Sequence, residues 1–240
     1  METREKNRLV SLLSGLVIFI GIPGLLIFGM TVLNDRKYLF ISLCILLLTS
    51  LPLLFLFERR GVKTRELILI AGLSAIGVAG RMAFFWIPHV KPVAAVTIVS
   101  AIALGPQAGF VVGAMIMFVS NFSFGQGPMS PWQMFCFGII GFVAGSLFDK
   151  FKLPKNKWTM GSYGFLSIFL FFGSIMNPIS VISFYEEINK DMIVLSYLRG
   201  LPIDLIHATG TFAFLFFFGE SFLEKIQRIQ VKYGLLDDRS

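Results

Sequence analysis

A handful of strongly polar side chains interrupt the apolar runs of this chain, and these could do chemistry. In order they are Arg81, Lys91, Asn121, Gln126, Trp132, Gln133, Asn177, Arg199, Asp204 and His207. The set mixes cations, amides, an indole and one carboxylate, so N–H donors outnumber acceptors, which suits recognition of a polar molecule by hydrogen bonds. Ionisable groups inside apolar segments are costly and face a cavity or a partner. Asp204 and His207 lie three residues apart and could also serve as an acid–base pair. No nucleophile or metal motif accompanies them. The chain has no GxxxxGK[ST] loop, no HExxH and no GxSxG; the nearest run, GSYG at 161–164, has the wrong spacing. Two histidines, His89 and His207, are too few for a histidine-rich metal site. The two cysteines, Cys44 and Cys136, sit far apart in apolar runs with no CxxC spacing. The pattern therefore favours binding over catalysis, with no cofactor or metal held by this chain.

Each polar residue also has an architectural reading. Arg81 could pair with Asp204 and lock two helices together. Arg199 could snorkel to a headgroup layer, and Trp132 could be an interfacial anchor. Asn121 and Gln126 could satisfy local backbone in a Gly/Pro-rich loop, and His207 could be a hydrogen-bonded bundle histidine.

The elements that must position these residues are membrane helices. The chain is 55% hydrophobic and only 15% charged, with mean hydropathy +0.78, far from the roughly one-quarter charged residues of soluble domains. Apolar runs near the length that crosses a bilayer, about 20 residues, recur at 9–33, 38–57, 66–87, 91–104, 107–119, 132–148, 160–184 and 195–222. The first run is too long for a signal-peptide core and is expected to be retained. Pro23 is expected to kink it. GP at 105–106 and NP at 177–178 break two others. The net charge of +7 lies in short loops, where topology signals sit, rather than on a nucleic-acid face. Fifteen Lys and Arg fall on one side of an eight-span arrangement and six on the other, which predicts cytoplasmic termini. The fold expected is an all-α polytopic membrane bundle. Residues 1–62 form an accessory N-terminal hairpin, 63–223 a six-helix bundle and 224–240 a cytoplasmic tail. In that topology the strongly polar set collects in the outer halves of the spans. A one-sided set suggests an outward binding cavity rather than a channel, which needs polar lining throughout.

Small residues at four-residue spacing, Ala71, Ala75 and Ala79 and then Gly105, Gly109 and Gly113, allow close helix approach. Either ladder could pack within the bundle, and the alanine ladder could instead be a flat dock for another membrane protein.

Three runs, ELILIAGLSAIGVAGR (66–81), KPVAAVTIVSAIALGPQAGFVVGA (91–114) and SNFSFGQGPMSPWQMFCFGIIGFVAGSLF (120–148), resemble the substrate-binding S component of energy-coupling factor (ECF) vitamin transporters. The resemblance covers residues 65–222. It implies a six-helix bundle in the cell membrane with cytoplasmic termini and an outward vitamin pocket closed by outer loops. The alanine pattern matches the family's AxxxA element, which implies that Ala71, Ala75 and Ala79 contact a transmembrane coupling subunit. Two cytoplasmic ATPases would then supply ATP hydrolysis while the S component topples to deliver its ligand. The FGQGP…PWQMF segment looks most like the B12-related group, which implies cobalamin or its benzimidazole precursor. Asn121, Gln126 and Gln133 would then meet a corrinoid's amides, and Arg81 and Lys91 its phosphate; a benzimidazole would stack on Trp132. Two other classes predict different features. A secondary transporter predicts inverted repeats and midplane broken helices, and a membrane enzyme predicts a nucleophile or metal motif.

Overall fold

In a membrane every backbone polar group must be satisfied within the chain, so long apolar runs become helices. The computed structural model describes residues 12–33, 37–60, 64–185 and 187–234, and they form eight helices with no strand among them. These are α1 (Leu12–Val32), α2 (Tyr38–Arg60), α3 (Thr64–Ala83), α4 (Val93–Leu104), α5 (Pro106–Phe124), α6 (Met129–Lys150), α7 (Lys157–Ile182) and α8 (Lys190–Lys232). Helices α1, α3, α5, α6, α7 and α8 are each long and apolar enough to cross a membrane. The basic residues Arg4, Lys6 and Arg8, the turn at 34–36, the hairpin boundary at 62/63 and the last residues of the tail lie outside the described residues.

Local signals start and stop these helices. Asn156 and Asn189 cap α7 and α8, accepting hydrogen bonds from Thr159 N and Met192 N at 2.9 Å each. Gly105, at φ 99°, turns the chain between α4 and α5, and Pro106 opens α5 at a position where its missing N–H costs nothing. The expected break at Pro178 does not occur. Proline leaves the carbonyl four residues earlier, that of Ser174, without its helical donor, and the Tyr197 hydroxyl of α8 donates to it at 2.9 Å. Tyr197→Phe should therefore cost about 1–2 kcal/mol, read as a lower melting temperature in detergent with ligand affinity unchanged. Three π-helical stretches interrupt the α-helices, at Val17–Gly21 ahead of Pro23, Ser167–Phe172 and Leu215–Gly219.

Helix α4 is the centre of the bundle. All twelve of its residues are buried, yet it rises only about 18 Å, short of the ~30 Å hydrocarbon core. It is a core helix rather than a lipid-facing one. Its last turn is completed by α8, whose fully buried Gln230 donates to Ala103 O at 3.1 Å; this supplies a donor to an orphan C-terminal carbonyl.

The glycine ladder is a packing seam. A Cβ on Gly109 would sit 2.3 Å from the Ala101 Cβ of α4, and one on Gly113 would sit 2.6 Å from the Phe137 oxygen of α6. From the other side, a Cβ on Gly141 or Gly145 would lie 2.6 Å from Gly109 O or Pro106 N. Helices α4, α5 and α6 thus touch almost backbone to backbone. Helices α1 and α2 pack on α5 and α6, and α7 and α8 form an antiparallel pair on the far side. The alanine ladder is different: Ala71, Ala75 and Ala79 are all exposed, while Ile70, Leu73, Ser74 and Gly77 turn inward. Among the described residues, α1 and α2 pack on α5 and α6 rather than along this alanine face.

The loop expected between 121 and 131 is largely helix. Helix α5 continues through Phe124 and α6 begins at Met129, leaving four connecting residues. The reason lies in Asn121, whose buried side chain bonds both neighbouring helices and holds the last turn of α5 in place.

Candidate binding site

Arg81, in the last turn of α3, starts a polar row across three helices. Its Nη1 donates to Ser120 Oγ at 2.5 Å and to Asn121 Oδ1 at 2.7 Å, both on α5. The guanidinium carbon lies 4.3 Å from the centre of the Phe124 ring, a cation–π distance. Asn121 Nδ2 then donates to Gln133 Oε1 of α6 at 2.9 Å. Nη1 is the only guanidinium nitrogen with a partner among the described residues, which leaves the Nη2 and Nε hydrogens unspent.

A second cluster joins α7 and α8. Asn177 Nδ2 donates to Asp204 Oδ2 at 2.8 Å. Each helix makes room for the other's polar side chain with a glycine. A Cβ on Gly173 would meet Asp204 Oδ2 at 2.5 Å, and one on Gly200 would meet Asn177 Oδ1 at 2.3 Å. One turn along, buried His207 lies between Phe172 of α7 and Phe137 of α6, with ring centroids 5.0 and 6.0 Å away. Phe137 is four residues from Gln133, so one face of α6 carries the end of the first row and the wall of the second.

The turn between α3 and α4 packs against α8. Val90 N donates to Pro88 O at 2.8 Å, making a γ-turn around His89, whose φ is 59°. Phe84 packs edge-on against Phe214 of α8 at 5.0 Å, and a Cβ on Gly210 would touch Val90 Cγ1 at 3.2 Å. The two clusters thus share the Phe137 face of α6, which forms the seam between them.

Several of the expected roles change. Arg81 and Asp204 do not pair: each is bonded to a neutral neighbour, Arg81 to Ser120 and Asn121 and Asp204 to Asn177. Lys91 is spent as a cap on the end of α3, its Nζ donating to Phe84 O, to Ile87 O at 2.6 Å and to Phe85 O at 3.4 Å. Burial and the nearby Arg81 charge pull its ammonium below the ordinary lysine range. Gln126 closes its own loop, Nε2 donating to Phe118 O at 3.0 Å. Trp132 turns away from the seam into a cleft lined by Leu26, Gly29, Lys37 and Tyr38 of the N-terminal hairpin region. Arg199 is exposed on α8. Arg81, Asn121, Gln133, Asn177 and Asp204 remain as the candidate set. Ser120, Phe124, Phe137 and Phe172 stand beside them, and nothing in the sequence reading singles these four out.

The seam offers N–H donors from Arg81 and Gln133, a carboxylate acceptor in Asp204, and phenyl walls. That combination suits a flat, apolar-faced molecule with a polar edge. Among the described residues no group of three or more His, Cys, Asp or Glu could hold a metal.

Comparison with known families agrees with a binding role. Residues 61–214 match the family described as ECF-type riboflavin transporter, S component. Neither the curated proteins nor the solved structures provide a match to the chain. ECF S components are multi-pass transporter subunits rather than enzymes, and they work with a coupling subunit and ATPases. A match over well over half of the chain, on a helical bundle with this seam, places the protein in the family of ECF-type riboflavin transporter S components.

Proposed function

We propose that this chain captures riboflavin at the outer face of the cell membrane and hands it to an ECF module for import. The reading rests on the Arg81–Asn121–Gln133 row and the Asn177–Asp204 pair, two polar clusters linked through Phe137 of α6. Riboflavin is neutral and flat, with two ring carbonyls, one ring N–H and a hydroxylated side chain. Arg81 and Gln133 supply donors for the carbonyl edge. Asp204 accepts from an N–H or a hydroxyl, and the phenyl groups cover the ring faces. Lysine and arginine counts support cytoplasmic termini, which puts the Arg81 end of α3 outside.

The family description favours riboflavin over the B12-related ligands that the 124–135 segment suggests. In that segment Gln126 is bonded to its own loop and Trp132 faces the hairpin, so neither is positioned to read a corrinoid or stack on a benzimidazole. The test is a titration of the purified chain with riboflavin, followed by quenching of flavin fluorescence, with cobalamin and dimethylbenzimidazole as competitors. Saturable quenching that neither competitor reverses is expected. Absence of quenching, with a thermal shift produced by cobalamin instead, would sink the riboflavin assignment.

For coupling, the exposed Ala71, Ala75 and Ala79 form the dock for the transmembrane coupling subunit, because small side chains let a partner helix approach closely. ATP is hydrolysed by two partner ATPases. Ala75→Trp should reduce vitamin uptake by cells to background while leaving riboflavin affinity unchanged. Normal uptake by this variant would remove the docking role.

A further inference from the structure

The end of the bundle opposite the Arg81 row carries a feature that vitamin binding does not use. Chain segments far apart in sequence meet there. The backbone N of Lys157, opening α7, donates to Glu220 Oε1 of α8 at 2.7 Å. Lys157 Nζ lies 4.9 Å from the Phe216 ring centre, and Trp158 packs edge-on against the same ring at 4.7 Å. Arg65, at the start of α3, donates from Nη1 to Tyr233 O at 3.1 Å. This draws the end of α8 across the base. From Glu220 onward α8 is amphipathic: Leu223, Ile226 and Gln230 are buried, while Lys225, Arg228 and Lys232 face out.

Two properties distinguish this base from an ordinary solvated surface. Most of its basic side chains lack acidic partners among the described residues. Among the described residues the ion pair is Arg228 with Glu224 at 3.6 Å, whereas Lys150, Lys152, Lys155, Lys157 and Lys232 have none. The nearby Glu220 is spent on α7's first turn. Large apolar rings also stand exposed among the lysines: Phe151 is 62% and Trp158 61% exposed. Leu153, between them, is packed on the core and fixes the loop in place. Water alone does not favour exposed phenyl and indole groups, but a bilayer interface does, because it accepts an aromatic body at headgroup depth. Unpaired lysines beside such rings attract anionic headgroups.

We propose that the loop 150–158 and the outward face of α8 after Glu220 form a binding surface for anionic phospholipid, with the lysines on the phosphates and Phe151 and Trp158 set at the boundary between headgroups and acyl chains. The surface is independent of which vitamin occupies the seam. The test uses the full chain in mild detergent, offered equal phosphatidylglycerol and phosphatidylcholine, with retained lipid read by native mass spectrometry. A preference for phosphatidylglycerol of at least about ten-fold is expected. It should disappear in the quadruple variant Lys150→Gln, Lys152→Gln, Lys155→Gln, Lys157→Gln, whose riboflavin affinity should match the parent's. On the unaltered protein the preference should collapse near 1 M salt, where the Debye length is about 3 Å; this arm decides the matter even if the variant does not fold. Equal retention of the two lipids would overturn the proposal, as would a preference that survives the substitutions or the salt. Displacement of the lipid by millimolar inorganic phosphate would also overturn it, assigning the surface to free phosphate.

Discussion

Arg81→Ala should weaken riboflavin binding by about ten- to a hundred-fold, because a hydrogen bond from a charged group is worth about 1.5–3 kcal/mol. The guanidinium is held by neutral partners, Ser120 and Asn121, and by the Phe124 face, so its charge is oriented but not neutralised by a carboxylate among the described residues. Such a group inside an apolar bundle is available to a ligand's electronegative edge. Arg81→Lys should recover only part of the affinity, since an ammonium cannot reproduce the planar fork that serves α5 and a ligand together. The same contacts tie α3 to α5, so the alanine variant should also melt somewhat earlier. Calorimetric or fluorescence titration beside a melting curve separates the two effects. Intact affinity with a lowered melting temperature would make Arg81 a helix tie and nothing more.

The largest effect on folding is expected at Gly113. A Cβ there would lie 2.6 Å from Phe137 O, 2.7 Å from Phe137 C and 2.9 Å from Thr97 Cγ2. Two of these three atoms are backbone, which no rotamer change can clear. Gly113→Val adds two further methyls and must push α5 away from α6 along the most extensive helix contact in the bundle. Overpacking costs typically about 1–3 kcal/mol where side chains can give way, and the loss here should exceed that range. Size-exclusion chromatography of the extracted protein should show aggregate instead of a single peak. Gly72→Val is the matched control: nothing lies within 4 Å of its Cβ position, and its melting temperature should stay near the parent's. If the two variants behave alike, the close approach of α5 and α6 is not what holds the core together.

The physics that makes the fold legible in the sequence also limits what can be read there. Long apolar runs can satisfy their backbone only as helices, so the eight helical segments and their order are visible in the sequence. Polar side chains within such runs are costly enough to stand out, so Arg81, Asn121, Gln133, Asn177 and Asp204 are visible as candidates before any contact is known. Continuity at Pro178 is not legible, because the carbonyl it frees at Ser174 is met by a hydroxyl 23 residues away on another helix. Nor is the extent of α5, since Asn121 reads as a loop residue until its two partners are in place.

Facing is the other property that the sequence withholds. A helix that is apolar all round carries almost no amphipathic signal, so its rotation about its own axis is set by its neighbours. For that reason Trp132, one residue from Gln133, points to the hairpin while Gln133 joins the Arg81 row. Arg81 and Asp204, the obvious ion pair by charge, find separate neutral partners for the same reason. The two small-residue ladders look alike in sequence, yet the glycines are pressed between three helices and the alanines are left uncovered. Composition and charge alone determined a helical membrane bundle with a polar end. Only tertiary packing decided which side chains share a seam, because helix rotation and depth are fixed by contacts between segments rather than by any one segment's own pattern.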